Sequence, residues 1–365
     1  MEEIIITRPD DFHHHFRDGD MLPLTVRQAS IKFGRVVVMP NLIPPITTVD
    51  MADFYRTYIL NELNNQNNKN NKNNKNNKNN LFTPLMALYL TKDTTVETIK
   101  DASKTEWIIG FKYYPKNGTT NSGEGVSNIN EIKEQLEAME QFNVPLLIHG
   151  EIANKYADVF DKEMLFINSI MPDLIKNYPN LKIVLEHIST KEAVDFVINT
   201  PHNVGATITP HHLLLNRNNI FKNGLNPHYY CLPILKRLRD QIALIDVAIS
   251  GNPKFFLGTD SAPHVENNKL SCCGCAGIFN TPVAIEICAT IFEKYNALNK
   301  LEAFISLNGA NFYELPINKE KIKLVNKKWR VPLKYRIGYY SPNNNNYVVP
   351  LLNDEVLEWQ VCNDD

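Results

Sequence analysis

The chain has 365 residues, 43% hydrophobic and 21% charged, values that fit a globular protein and exclude a coiled coil, a collagen-like fibre or a chain disordered throughout. Thirty-eight basic residues against 40 acidic ones leave a formal charge of −2, so no global basic field draws the protein to phosphate backbones and nucleic acid is not an expected partner. No apolar run approaches the ~18 residues that span a bilayer, and Met1 to Ile6 lack the basic stretch of a signal peptide, so a cytoplasmic protein without membrane contact is expected.

In chain order, the first predicted strand covers 11–16 and carries His13, His14 and His15. Alternate residues of a strand share a face, so His13 and His15 point inward together while His14 points away, and two imidazoles on one face suit a metal. A second strand covers 35–41 and a helix 49–63. Residues 64–80 then contain only Asn, Lys and one Gln. Without apolar side chains to offset chain entropy, this stretch reads as a disordered surface insertion.

Further strands are predicted over 82–90, 107–114, 144–150, 182–188, 204–210 and 254–261, with helices over 128–142, 155–177, 190–199 and 236–250. Eight short apolar runs alternating with amphipathic stretches predict an α/β fold, a (β/α)8 TIM barrel filling 1–365 as a single domain, with a doubly wound sheet as the competitor. The insertion lies in a helix-to-strand connection, hence on the N-terminal face of the barrel. Barrel enzymes assemble their chemistry on the opposite face, so its deletion is expected to spare catalysis.

Ligand-type residues close several of these strands: His149 ends Leu-Leu-Ile-His, His187 ends Val-Leu-Glu-His, and Asp260 ends Phe-Phe-Leu-Gly-Thr-Asp. One such residue alone reads as a satisfied buried polar group. Four His and one Asp converging on one barrel face read as a metal centre. Lys112, in Ile-Ile-Gly-Phe-Lys-Tyr-Tyr, falls on the inward side of its strand if the apolar alternation holds. A buried ammonium beside metal cations is repelled. It therefore faces solvent, serves as a neutral Schiff-base amine, or is carbamylated by CO2 into an anion that bridges two metals. Six cysteines, three of them at Cys272, Cys273 and Cys275, read as free thiols with a packing or loop role, since no second pair completes a zinc site.

The run Arg-Pro-Asp-Asp-Phe-His-His-His-Phe-Arg-Asp-Gly-Asp-Met-Leu at 8–22 resembles the metal-binding signature of dihydroorotases of the shorter, single-function bacterial type, within the amidohydrolase superfamily. Matching blocks include Val-Met-Pro-Asn-Leu at 38–42, Phe-Lys-Tyr-Tyr-Pro at 111–115, Asn-Gly-Thr-Thr-Asn-Ser at 117–122, His-Gly-Glu at 149–151, Glu-His-Ile-Ser-Thr-Lys at 186–191, Cys-Leu-Pro-Ile-Leu-Lys-Arg at 231–237, Gly-Thr-Asp-Ser-Ala-Pro-His at 258–264 and Cys-Gly-Cys-Ala-Gly at 273–277. The insertion lies outside the match, and the stretch after 320 matches less well.

The resemblance implies a zinc-dependent cyclic amidohydrolase that interconverts N-carbamoyl-L-aspartate and L-dihydroorotate in pyrimidine biosynthesis, using a hydroxide between two Zn²⁺ ions. One ion would be held by His13, His15 and Asp260 and the other by His149 and His187, with N6-carboxylated Lys112 bridging both. Asp260 would act as general acid and base. Arg17, Asn41 and His264 would hold the substrate carboxylate, backbone groups of Leu232 and Ala276 the ring amides, and Thr119 and Thr120 a closing loop whose flanking Gly118 and Gly123 suit a lid. A homodimer is implied as well. The rival readings are a hydantoinase or allantoinase, which has no need of the Arg17 and Asn41 anion clamp, a ligand-depleted scaffold, and a Schiff-base lyase using Lys112. His14 and His211 stand where relatives commonly carry other residues.

Overall fold

A computed structural model describes residues 3–70, 82–338 and 346–362. In chain order its strands are β1 (Glu3–Thr7), β2 (Asp10–His14), β3 (Arg35–Val38), β4 (Thr83–Tyr89), β5 (Ile108–Tyr113), β6 (Leu146–His149), β7 (Ile183–Glu186), β8 (Val204–Ile208), β9 (Phe255–Leu257), β10 (Lys321–Arg330), β11 (Tyr335–Arg336), β12 (Tyr347–Val348) and β13 (Val356–Cys362). Strands β2 to β9 form one eight-stranded sheet in sequence order, and every neighbouring pair is parallel. All eight predicted strands are present. The sheet closes where the chain continues past β9: Asp260 N–H donates to His13 O at 2.9 Å and His15 N–H to Ser261 O at 3.2 Å. That closure makes a (β/α)8 barrel and excludes the open doubly wound sheet.

Alternation along the strands sorts the core into two sets. Val36, Val38, Met86, Leu88, Leu146, Ile148, Ile183 and Leu185 face the surrounding helices. Phe12, Val37, Met39, Leu85, Ala87, Ile109, Leu147, Val184 and Phe256 fill the interior. Phe12 stacks on Tyr313 with ring centroids 5.2 Å apart, closing the bottom of the barrel.

Two of the predicted helices have other bounds in the structure. The predicted helix over 155–177 begins only at Lys162 and is two helices, Lys162–Ser169 and Met171–Asn177. Pro172 lies in the first turn of the second, where its missing N–H costs nothing, whereas within a continuous helix it would remove a bond. The helix predicted over 49–63 runs on to Asn70, so the Asn/Lys-rich stretch begins inside it. Residues 71–80 of that stretch lie outside the described residues. Beyond the barrel, β1, β10 and β13 form an antiparallel sheet that the sequence reading did not anticipate, packed on the helix Ala284–Lys294. Among the described residues no helix is long and apolar enough to cross a membrane.

Candidate metal centre and substrate pocket

Each candidate ligand leaves the C-terminal end of a barrel strand, and most do so where the regular alternation breaks. The pairing of β2 with β3 shifts register between Asp11 and His14, which turns both His13 and His15 inward after the inward Phe12. In β5, Gly110 takes φ +154 where a Cβ would meet Pro145 O at 2.4 Å. The break lets Ile109 and Lys112, three residues apart, both face the interior. His187 (φ 43), Asp260 (φ 45) and Arg17 (φ 62) occupy the left-handed region, each at a cost of about 1–3 kcal/mol that the surrounding bonds must offset.

Around Asp260, part of that offset comes from Asp11. Its Oδ1 accepts from Thr259 N–H at 2.7 Å and His13 N–H at 3.1 Å, and its Oδ2 from Thr259 Oγ1–H at 2.6 Å. His14 Nδ1 lies 2.8 Å from the same Oδ2, so this imidazole turns away from the site as expected. One buried carboxylate thus ties β2 to the end of β9.

Three ligand atoms form a tight triangle: His13 Nε2 and His15 Nε2 are 3.2 Å apart and lie 3.3 and 3.0 Å from Asp260 Oδ1. His149 Nδ1 and His187 Nε2 form a second pair, 3.2 Å apart. Tetrahedral zinc with ligand bonds of 2.0–2.1 Å needs donor atoms about 3.3 Å from one another, so both groups have the spacing of a shared ion. His13, His187 and Asp260 also bring one ligand atom each within 4.8 Å of the others, which sets the two groups side by side.

The electrostatics favour a cation. Burial depresses His15 to about 3 and draws down His149 and His187 as well, so all three imidazoles are neutral with lone pairs available at pH 7. Burial would depress His13 too, but the Glu186 carboxylate overrides it and lifts the group to about 9. The field that draws a proton to His13 also draws a metal ion. Burial pushes the Asp260 carboxyl up, yet the His13 and His15 hydrogen bonds more than reverse that and keep it ionised.

Glu186, to which the sequence reading gave no role, faces inward beside His187. Its Oε2 lies 3.0 Å from His13 Nδ1 and accepts from the fully buried Lys112 Nζ. Burial draws the Lys112 amine downward against the pull of Glu186. Lys112 is therefore inward, and the solvent-facing alternative is excluded. Glu151, similarly unassigned, places Oε2 3.1 Å from His149 Nε2, and Lys236 Nζ lies 3.4 Å from its Oε1. These carboxylates grip the outer nitrogens of His13 and His149, the arrangement that fixes metal-binding imidazoles. A third candidate group, His211, His212 and Cys231, does not fit a metal, because His212 is committed at both nitrogens, to Thr209 Oγ1 at 2.8 Å and Pro233 O at 3.0 Å.

Above the ligands is a small cavity lined by His13, His15, Arg17, Asn41, Tyr114, Thr119, Thr120, His149, His187, Leu232, Asp260 and Ala276, among others. It thus collects every predicted site residue except the deeper Lys112 and His264, which stands at its edge on Arg17. The strand carrying His13 stops at His14, so Arg17 reaches the cavity through its left-handed turn and not by strand alternation. Arg17 Nε donates to Pro263 O at 3.1 Å. His264 Nε2 lies 3.1 Å from Arg17 Nη2 and 2.9 Å from Ala276 O, and one tautomer can serve only one of them. Burial depresses His264 to about 3, leaving Arg17 as the cation of the pair.

The loop over 117–125 covers the cavity as a preformed unit, with Thr119 N–H on Ser122 Oγ at 2.9 Å and Asn117 N–H on Ser122 O at 2.9 Å. Asn41 joins it to the barrel: Asn41 Nδ2 donates to Thr120 O and Asn121 Nδ2 to Asn41 O, both at 3.0 Å. Cys272 and Cys273 are exposed, with sulfurs 3.8 Å apart, on the loop leading to Ala276.

No family model matches the chain. A dihydroorotase of Coxiella burnetii is 48% identical over 361 residues, covering 99% of this chain and 98% of its own. Among solved structures, a dihydroorotase of Campylobacter jejuni superposes with a TM-score of 0.86 at 35% identity, covering 99% of this chain and 98% of that one. A Saccharomyces cerevisiae dihydroorotase in complex with 5-fluoroorotic acid gives 0.86 at 31% identity, covering 99% of each chain. An L-hydantoinase of Arthrobacter aurescens shares the fold alone, with a TM-score of 0.72 at 12% identity, covering 98% of this chain and 82% of that one. End-to-end identity of this order, on a closed barrel whose strand ends gather donors at metal spacing, places the chain in the dihydroorotase family of the amidohydrolase superfamily.

Proposed function

We propose that the protein catalyses the reversible cyclisation of N-carbamoyl-L-aspartate to L-dihydroorotate with two zinc ions per chain. The observation that carries this reading is the pairing of two donor groups at metal spacing with a cationic Arg17 at the rim of the same cavity. His13, His15 and Asp260 would hold one ion and His149 and His187 the other, with Lys112, carboxylated on Nζ, as a ligand available to both. The modification removes the conflict of a buried ammonium beside metal cations. Glu186 then keeps His13 Nδ1 as its partner.

When bound, the metals supply a nucleophilic oxygen from water near neutral pH and polarise the amide carbonyl. The protein does the rest. Arg17 and Asn41 hold the substrate carboxylate, with His264 beside them, and Arg17's planar fork suits two carboxylate oxygens. Backbone groups of Leu232 and Ala276 orient the ring amides, and Thr119 and Thr120 close over the ligand and exclude water. Asp260 has Oδ1 turned to His13 and His15. Its Oδ2 takes the proton of the attacking water in ring opening and gives it to the departing ring nitrogen, a general base that becomes a general acid. In cyclisation the same oxygen returns the proton as water leaves. A cytoplasmic homodimer completes the reading.

The test pairs metal analysis of the purified protein with dihydroorotate hydrolysis followed by absorbance, before and after chelation. About two zinc per chain and turnover lost on chelation support the proposal. Protein without metal, and without turnover after zinc and bicarbonate are supplied, would sink it in favour of a non-catalytic scaffold. Asp260→Ala is expected to cost at least about 1,000-fold in kcat.

A further inference from the structure

Tyr114 lies two residues beyond Lys112 and lines the substrate cavity, yet it belongs to neither the donor groups nor the anion clamp. Its ring is packed on three sides. The Tyr89 ring is 4.9 Å away, the His149 ring 6.5 Å, and Lys112 Nζ 5.2 Å from its centroid. The side chain is 2% exposed, and its hydroxyl has no hydrogen-bond partner among the described residues. A buried hydroxyl without a protein partner costs up to about 1–3 kcal/mol, which a tyrosine in a folding role would avoid by being phenylalanine. Tyr313 also has a buried, unpaired hydroxyl, but its ring stacks on Phe12 at the closed end of the barrel, where no ligand reaches.

On the dihydroorotase reading, Arg17 and His264, 3.1 Å apart, form the end of the cavity that takes the carboxylate. Tyr114 packs against His149 and Lys112, beside the donor groups, with Asp260 and Arg17 both within electrostatic reach of its hydroxyl. Tyr114 brings an O–H donor to the strand ends, where the groups at metal spacing are imidazoles and a carboxylate, while the Thr119 and Thr120 hydroxyls of the same cavity lie on the covering loop. Charge develops there on the oxygen of the reacting carbonyl, and a donor held by packing needs no reorganisation to meet it. We propose that Tyr114 is a further catalytic residue, donating its phenolic hydrogen to that oxygen as the carbonyl becomes tetrahedral.

Tyr114→Phe removes the hydroxyl and keeps the packed ring. Measured on the zinc-loaded enzyme with dihydroorotate, kcat should fall about 100-fold while KM stays within about threefold. Zinc per chain and the unfolding temperature should match the parent. Turnover within twofold of the parent would overturn the proposal, as would a loss confined to KM, which would move Tyr114 to the carboxylate end. Lost zinc would also overturn it by making Tyr114 a support of the metal site. An inactive parent enzyme fails the dihydroorotase reading itself, whereas an active parent with an unaffected Phe variant fails this assignment alone.

Discussion

Glu186 stands between Lys112 and His13 with no exposure to solvent of its side chain, and once Lys112 is carboxylated His13 is the partner left to its charge. Removing that charge leaves His13 without its anchor. Glu186→Gln should weaken zinc affinity by about 10–100-fold, measured by competition with a chromophoric chelator, and lower kcat less than it lowers affinity. A second buried carboxylate gives a pH signature. Burial outweighs the Lys236 charge and the Ser189 hydrogen bonds and raises Glu163 to about 7 from 4.5. Between those values the folded state keeps a proton that the unfolded state has shed, so stability falls as pH rises through the window. Glu163→Gln should flatten the dependence of the unfolding free energy on pH between about 4.5 and 7 by about 1–3 kcal/mol. Residue types at strand ends announced the histidines and Asp260, because a polar ligand ending an apolar run stands out. Glu186 did not announce itself: strict alternation turns only one of Glu186 and His187 inward, and the left-handed backbone at His187 brings in both.

Among the elements, the covering loop depends on few bonds to the barrel. Its internal hydrogen bonds hold its shape, and the Asn41 and Asn121 pair holds its position. Asn121→Gly removes one bond and suits the left-handed backbone at that position (φ 53), so the loop's own network can persist. It should raise KM about fivefold with little change in kcat, as expected for the loss of about 1 kcal/mol of closure. The Val49–Asn70 helix and β4 end and begin on the opposite face of the barrel. Replacing residues 71–80 by a short Gly/Ser linker should leave kcat/KM within about twofold, and a larger loss would show that the insertion serves the site. Strand positions were legible because parallel barrel strands are near-continuous apolar runs bounded by polar loops. The boundary of the second helix was not. Asn and Lys are tolerated in a helix already nucleated by Ala52, Tyr55, Ile59 and Leu63 on its buried face.

At the scale of the molecule, the barrel is backed by the β1, β10 and β13 sheet. Trp359 is its keystone, with no exposed surface, its Nε1–H on Glu293 Oε2 at 2.9 Å and its carbonyl accepting from Trp329 Nε1–H at 2.7 Å. Trp359→Ala should cost about 3–5 kcal/mol by denaturant unfolding. Zinc content of the folded fraction should stay unchanged, since the sheet lies outside the barrel that holds the ligands. This sheet was hidden in the sequence because its pairing joins residues more than 300 positions apart, and its central strand, with Lys323, Lys327 and Lys328, reads as polar.

That distant pairing also imposes an order on synthesis. Strand β1 carries the run Ile4, Ile5 and Ile6, and its partners in the sheet are residues 321–325. At about 5–20 residues per second, some 15 seconds to a minute pass on the ribosome between the emergence of β1 and that of its mate. For that interval a sticky, β-prone edge travels ahead of a barrel still being built, with Glu2 and Glu3 as the charges beside it. Holdase chaperones should therefore engage this nascent chain at β1 and let go only as β10 is delivered.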